Sequence, residues 1–180
     1  MSDQQLGMKM VEQEELNVFL EAYEFLRGER LRLHHSGERP DFICLREDGR
    51  PIGVELTAVM RDPESAFYDR VIRHRDFMNP YEAQERLLDT ILKKDLKRVS
   101  TGWTYPDSTV LVLQMHDCPL SEICWLLDEV GPKEFAHHGF EEVVIADYSE
   151  LDAYGVVELY GLYPQDLWGY HKQNRGKPYG

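Results

Sequence analysis

Arg39-Pro40-Asp41-Phe42-Ile43-Cys44-Leu45-Arg46-Glu47-Asp48-Gly49-Arg50-Pro51-Ile52-Gly53-Val54-Glu55-Leu56-Thr57 is the stretch on which the reading of this chain turns. Phe42 to Leu45 and Ile52 to Thr57 are short strand-like runs. The Asp48-Gly49 between them signals a hairpin, because glycine accepts the positive φ that a tight turn demands. Side chains alternate along a strand, so Ile52, Val54 and Leu56 take one face and Glu55 and Thr57 the other. A carboxylate in the middle of a core strand is costly unless something compensates it. A divalent cation shared with a second carboxylate does so, and so does a cross-strand ion pair with Arg39 or Arg50. Asp41, at the head of the first strand, is the candidate second carboxylate. Asp in that position also commonly opens a strand or caps a turn.

The register of the hairpin decides whether Asp41 and Glu55 meet. A two-residue loop at Asp48-Gly49 pairs Glu47 with Arg50 and puts Asp41 on the face opposite Glu55. A three-residue loop over Glu47-Asp48-Gly49 pairs Arg46 with Arg50 and sets Asp41 level with Glu55, with Gly49 in the left-handed position of a bulged turn. A shared metal site requires the second register.

Working outward, residues 12–27 repeat Leu16, Phe19, Leu20, Tyr23 and Leu26 at helical spacing, and Gly28 is a fitting stop. Residues 31–40 read as a loop after a short strand at 31–33. Residues 64–76 carry a helical pattern. Residues 81–99 read as a long helix with Leu87, Leu88, Ile91, Leu92 and Val99 inward. The continuous apolar run Thr109 to Leu113 marks a strand buried on both faces. A helix at 121–130, a strand at 143–146, a further strand at 156–162 and a loop-like stretch from 164 to 180 complete the pattern. The fold class expected is α/β: a mixed sheet flanked by helices. The chain reads as a single domain over residues 1–180, with a core in 12–115, an additional helix and strands in 116–163 and a tail in 164–180.

The quoted stretch resembles the PD-(D/E)xK nuclease superfamily, the restriction-endonuclease-like fold. Pro40-Asp41 matches its PD, Glu55-Leu56-Thr57 stands where (D/E)xK would be, and the order helix, hairpin, third strand, helix, strand matches its core over roughly residues 12–115. The resemblance implies metal-assisted phosphodiester hydrolysis of DNA or RNA. Asp41 and Glu55 would hold one or two Mg²⁺ (or Mn²⁺) ions, with Glu24 as the acidic side chain the family often adds from its first helix. Thr57 occupies the family's lysine position, and a hydroxyl brings hydrogen bonding but no charge. Some branches of the family place a glutamine on the following helix, which points to Gln84 ahead of Lys94 as the group that compensates. A homodimer that brings two active sites together is a further analogy from the family.

Composition narrows the alternatives. The chain has 180 residues, 42% of them apolar, which excludes a disordered chain. A net charge of −13 excludes a generically basic nucleic-acid binder and disfavours anionic membrane surfaces. The charge is uneven: residues 1–26 carry −5, 27–100 carry +1, 101–170 carry −12 and 171–180 carry +3. Nearly all the Arg and Lys therefore share a stretch with the motif. The acidic part supports a competing expectation, a non-enzymatic module that binds a basic partner or mimics nucleic acid. Three unpatterned cysteines fit a reducing cytoplasm. The polar first ten residues lack the apolar segment of a secretory leader, and no apolar run is long enough to span a bilayer. The adjacent pairs His34-His35 and His137-His138 diverge on regular structure, and CxxC and HExxH spacings are missing, so zinc is not expected.

Overall fold

A computed structural model of the chain describes residues 2–59, 78–103 and 106–173, apart from the side chains of Leu6, Met8 and Lys9. The helical pattern read at 64–76 lies outside the described residues. Helix α1 (Asp3–Arg27) begins well before the apolar periodicity does. Ser2 and Gln5 form a reciprocal capping box, Gln5 N–H donating to Ser2 Oγ at 3.2 Å and Ser2 N–H to Gln5 Oε1 at 3.0 Å. That box satisfies N-terminal amides that would otherwise be orphaned.

Strand β1 (Arg32–Ser36) overlaps the short strand read at 31–33 and runs three residues into the stretch read as a loop. It pairs antiparallel with β2 (Phe42–Leu45), which pairs antiparallel with β3 (Pro51–Val59). A bulge between Leu33 and His35 overturns the expectation that His34 and His35 diverge, because it turns both onto one side with their Nδ1 atoms 2.6 Å apart. Helix α2 (Pro80–Thr101) leads to β4 (Thr109–Met115), and α3 (Leu120–Val130) to β5 (Glu142–Asp147). A short α4 (Leu151–Tyr154) precedes β6 (Glu158–Tyr163), and β7 (Gly169–His171) adds a strand within the tail read as loop-like.

The seven strands lie in chain order in one mixed sheet, with β3, β4 and β5 parallel and the other pairings antiparallel. Both crossovers step the same way across the sheet, so right-handed connections put α2 and α3 on one face and leave the other to α1. The core divides accordingly. Leu16, Phe19 and Tyr23 pack on Ile52, Val54, Val110, Val112 and Val144, while Leu87, Ile91, Ile123 and Leu127 pack on Leu111, Leu113, Val143 and Ile145. Every residue of β4 is buried, the apolar run Val110–Leu113 together with the polar Thr109 and Gln114. Leu92 and Val99 were expected inward but are 53% and 64% exposed, because the buried stripe of α2 runs through Ala83, Leu87 and Ile91 instead. Among the described residues, no helix is long and apolar enough to cross a membrane.

Candidate functional site

The hairpin takes the three-residue register. Arg46 N–H donates to the Arg50 carbonyl at 2.9 Å, and Gly49, at φ +85°, donates back to the Arg46 carbonyl at 2.9 Å. Phe42 faces Val54, so the next step up the ladder sets Asp41 level with Glu55. The two are locked reciprocally: Asp41 N–H donates to Glu55 Oε2 at 3.0 Å, and Leu56 N–H donates to Asp41 Oδ2 at 3.0 Å. Asp41 thus continues the ladder with its side chain where the strand itself has ended.

Gly53 makes room for this arrangement. A Cβ there would lie 2.6 Å from Pro40 Cγ and 2.6 Å from Thr109 Oγ1, so only glycine lets the Pro40 ring settle on β3 and aim Asp41 at Glu55. Gly53→Ala is expected to cost about 1–3 kcal/mol through overpacking. A melting point lowered by several degrees checks it, and an unchanged one removes Pro40 from the account.

Glu55 is only 4% exposed and shares the face of Leu111, toward α2. Its compensating charge is Lys94, whose Nζ lies 2.9 Å from Glu55 Oε1. Thr57 follows Glu55 on the same face, and its Oγ1 is buried without a hydrogen-bond partner among the described residues. Thr57 lines a groove of about 330 Å³ between β3 and α2, together with Arg86, Thr90, Lys93, Lys94, Lys97 and Asp89, the last paired with Lys93 at 2.8 Å. The Asp41 carboxyl is pushed up to about 7, mostly by burial and then by the negative charge of Glu55; the Leu56 N–H and Lys94 pull it down, and Glu12 on α1 adds to the rise. Two carboxylates level in register, one of them reluctant to ionise, form a donor pair for a hard cation. Mg²⁺ is commonly held by one or two carboxylates, with water and phosphate oxygens completing its shell. Among the described residues, no group of three or more His, Cys, Asp or Glu side chains forms a cage.

Of the residues read from sequence, the structure brings together Asp41, Glu55 and Thr57, and it leaves out Gln84 and Glu24. Helix α2 crosses back antiparallel to β3, so its late residues overlie the early part of the strand. Lys94 therefore reaches Glu55, while Gln84, ten residues earlier, sits about 15 Å back along the axis and outside the groove lining. The signal was present: Lys94 stands three residues after Ile91 and seven after Leu87, a lysine on the buried stripe. Glu24 is exposed, 3.9 Å from Arg30, beside a separate groove lined by Asn17, Leu20 and Leu33. Tyr23 and Arg27 bind Glu142 at the start of β5, and Glu15 binds Gln114 near the end of β4, so α1 runs antiparallel to those strands. Its first turns, with Glu12, are the ones whose charge reaches Asp41.

The acidic half of the chain is partly internal wiring. Glu142 accepts from Tyr23 at 2.5 Å and from Arg27, Asp147 accepts the Leu120 N–H that opens α3 at 2.9 Å, and Glu158 accepts from Tyr170 at 2.7 Å. No protein-family model, curated protein or solved structure matches the chain.

Proposed function

We propose that the chain is a metal-dependent nuclease, hydrolysing phosphodiester bonds of DNA or RNA on a restriction-endonuclease-like core. The observation that carries the reading is the convergence of Asp41, Glu55 and Lys94 beside a groove lined by further cations. Asp41 and Glu55 would hold Mg²⁺ or Mn²⁺. When bound, the cation supplies a water of lowered pKa and neutralises charge on the phosphate. Lys94 brings from α2 the ammonium that Thr57 cannot provide, at the edge of the groove, where it can donate to a non-bridging phosphate oxygen. The Thr57 hydroxyl, still in need of a partner, can take a hydrogen bond to the same group. Arg86 and Lys97 would meet flanking phosphates, which position a strand without reading its sequence.

The competing picture, an acidic interaction module, draws less support. Four of the thirteen carboxylates in 101–170, Asp117, Glu142, Asp147 and Glu158, are buried and not offered to a partner. Calorimetric titration of Mn²⁺ into the wild type and Glu55→Ala, followed by cleavage assays on plasmid and on single-stranded DNA and RNA, tests the proposal. Binding and cleavage by the wild type alone are expected. Equal heats for both proteins with every substrate intact reject it.

A further inference from the structure

His34 and His35 are exposed on β1, an edge strand of the sheet, and belong neither to the core nor to the groove beside Glu55. Successive side chains on a regular strand point to opposite faces. The bulge between Leu33 and His35 cancels that alternation. The two rings stand 4.9 Å apart between centroids with their planes at 71°, and the Nδ1 atoms are 2.6 Å apart. Two ring nitrogens at that separation share one proton: one Nδ1 donates an N–H and the other accepts it on its lone pair. Exposed imidazoles can make hydrogen bonds of the same worth to water, so this bond alone adds little to stability. What the bulge achieves is to aim two nitrogen donors at one point on the surface. Sequence spacing gives no sign of it, because a backbone irregularity and not a motif brings the rings together.

We infer that His34 and His35 form a surface chelate for a late first-row transition ion, Cu²⁺ or Ni²⁺, bound through the two Nδ1 atoms. Neutral imidazole is a favoured ligand of such ions. The proton held between the rings passes to Nε2 of the ring that carried it, a change of tautomer, so both Nδ1 lone pairs are offered to the metal and no proton leaves the pair. At metal–nitrogen distances of about 2.0–2.1 Å, the two nitrogens lie about 2.9 Å apart across a right angle and about 3.3 Å apart across a tetrahedral one. From 2.6 Å the pair opens by about 0.3 Å for the first and more than twice as far for the second. The right angle is that of tetragonal Cu²⁺ and Ni²⁺ sites, and Cu²⁺ heads the general order of affinity. Mg²⁺ and Mn²⁺ favour oxygen donors, so this chelate and the carboxylate pair select different ions. Among the described residues no cluster of three or more His, Cys, Asp or Glu side chains forms, so water completes the shell. The net charge of −13 adds a general attraction for cations. The chelate stands whether or not the site at Glu55 hydrolyses phosphodiesters.

Calorimetric titration of Ni²⁺ into the untagged full chain, with Zn²⁺ in parallel, tests this. Ni²⁺ is expected to bind more tightly than Zn²⁺, and at least about 10-fold more weakly to His34→Ala and to His35→Ala than to the wild type. Both side chains are exposed, so circular dichroism of the two variants should match the wild type. Ni²⁺ binding to Glu55→Ala as to the wild type separates the chelate from the carboxylate pair. In proton NMR, substoichiometric Cu²⁺, which is paramagnetic, should broaden the ring signals of His34 and His35 first among the seven histidines, each signal being assigned by its loss in the matching variant. A chain that binds no Ni²⁺, binding that survives both substitutions, or broadening confined to other histidines overturns the inference. Zn²⁺ bound more tightly than Ni²⁺ through the same two residues overturns the right-angle geometry.

Discussion

Asp41→Asn is expected to make the protein more stable at pH 8 and at the same time to abolish Mn²⁺ binding. The Asp41 carboxyl is pushed up to about 7 by burial and by Glu55, from an ordinary value near 3.8. Between those values the folded chain holds a proton that the unfolded chain has released. The native state therefore binds more protons, and stability falls as pH rises through that window. Above pH 7 the full penalty is present, and it vanishes only near pH 4, where Asp41 is protonated in both states. Asparagine keeps an oxygen for the Leu56 N–H and never ionises, so it escapes the penalty. After allowance for solvent at this partly exposed site, the gain is on the order of 2 kcal/mol, or about 4–8 °C in melting temperature. It should shrink steadily as pH is lowered from 7 to 4. Saturating Mn²⁺ at pH 8 should close the gap from the other side, by stabilising the wild type and leaving Asp41→Asn where it was. A variant less stable than wild type at pH 8 would show that Asp41 serves the ladder alone.

A carboxylate placed where burial penalises its charge is also what makes the pair readable in sequence. Glu55 announces itself as a carboxylate between the apolar Val54 and Leu56 in the middle of a strand, and Asp48-Gly49 announces the turn because glycine accepts a positive φ, which Gly49 adopts at +85°. Counting from those two facts leaves two registers, and the hydrogen bond from Arg46 N–H to the Arg50 carbonyl selects the one that sets Asp41 level with Glu55. The apolar run Val110–Leu113 within β4 is legible because burial on both faces favours apolar side chains at successive positions. Strand β1 is legible only at its start, in the short strand read at 31–33, because Arg32, His34, His35 and Ser36 are all exposed on an edge and no alternation survives. The helix residues of the site are missed for a different reason. Periodicity gives the faces of α1 and α2 but not which end of each helix overlies Glu55. That depends on the direction of the crossover and on how α1 lies across the sheet, both of them tertiary facts. Gln84 and Glu24 suit their helices, yet Lys94 and Glu12 are at the end nearer the carboxylates. Leu92 and Val99 misled the inward reading because α2 carries apolar residues on both sides, and a one-dimensional pattern cannot say which side meets the core.

Lys94→Met is expected to be the most damaging single change at the site, and the way metal modifies the damage is the sharper test. The side chain of Lys94 is 23% exposed and that of Glu55 5%, so the pair is largely removed from water. Removing the cation leaves a buried carboxylate held, among the described residues, by the Asp41 N–H. Breaking a buried pair in this way typically costs about 3 kcal/mol or more, equivalent to about 6–12 °C here. Glu55→Gln combined with Lys94→Met should recover most of that loss, because neither partner is then left charged and alone. Lys94→Arg keeps a charge for Glu55 and should hold much of the stability. It should still lose most of the cleavage rate, because a guanidinium cannot take the place of a compact ammonium beside the phosphate. In metal-free buffer Lys94 is, among the described residues, the cation paired with Glu55. With Mn²⁺ bound, the metal takes that role in part. The destabilisation by Lys94→Met should therefore be large in the presence of a chelator and distinctly smaller in saturating Mn²⁺. If it is the same in both conditions, the metal does not reach Glu55, and the Glu55–Lys94 pair is a core ion pair with no part in hydrolysis.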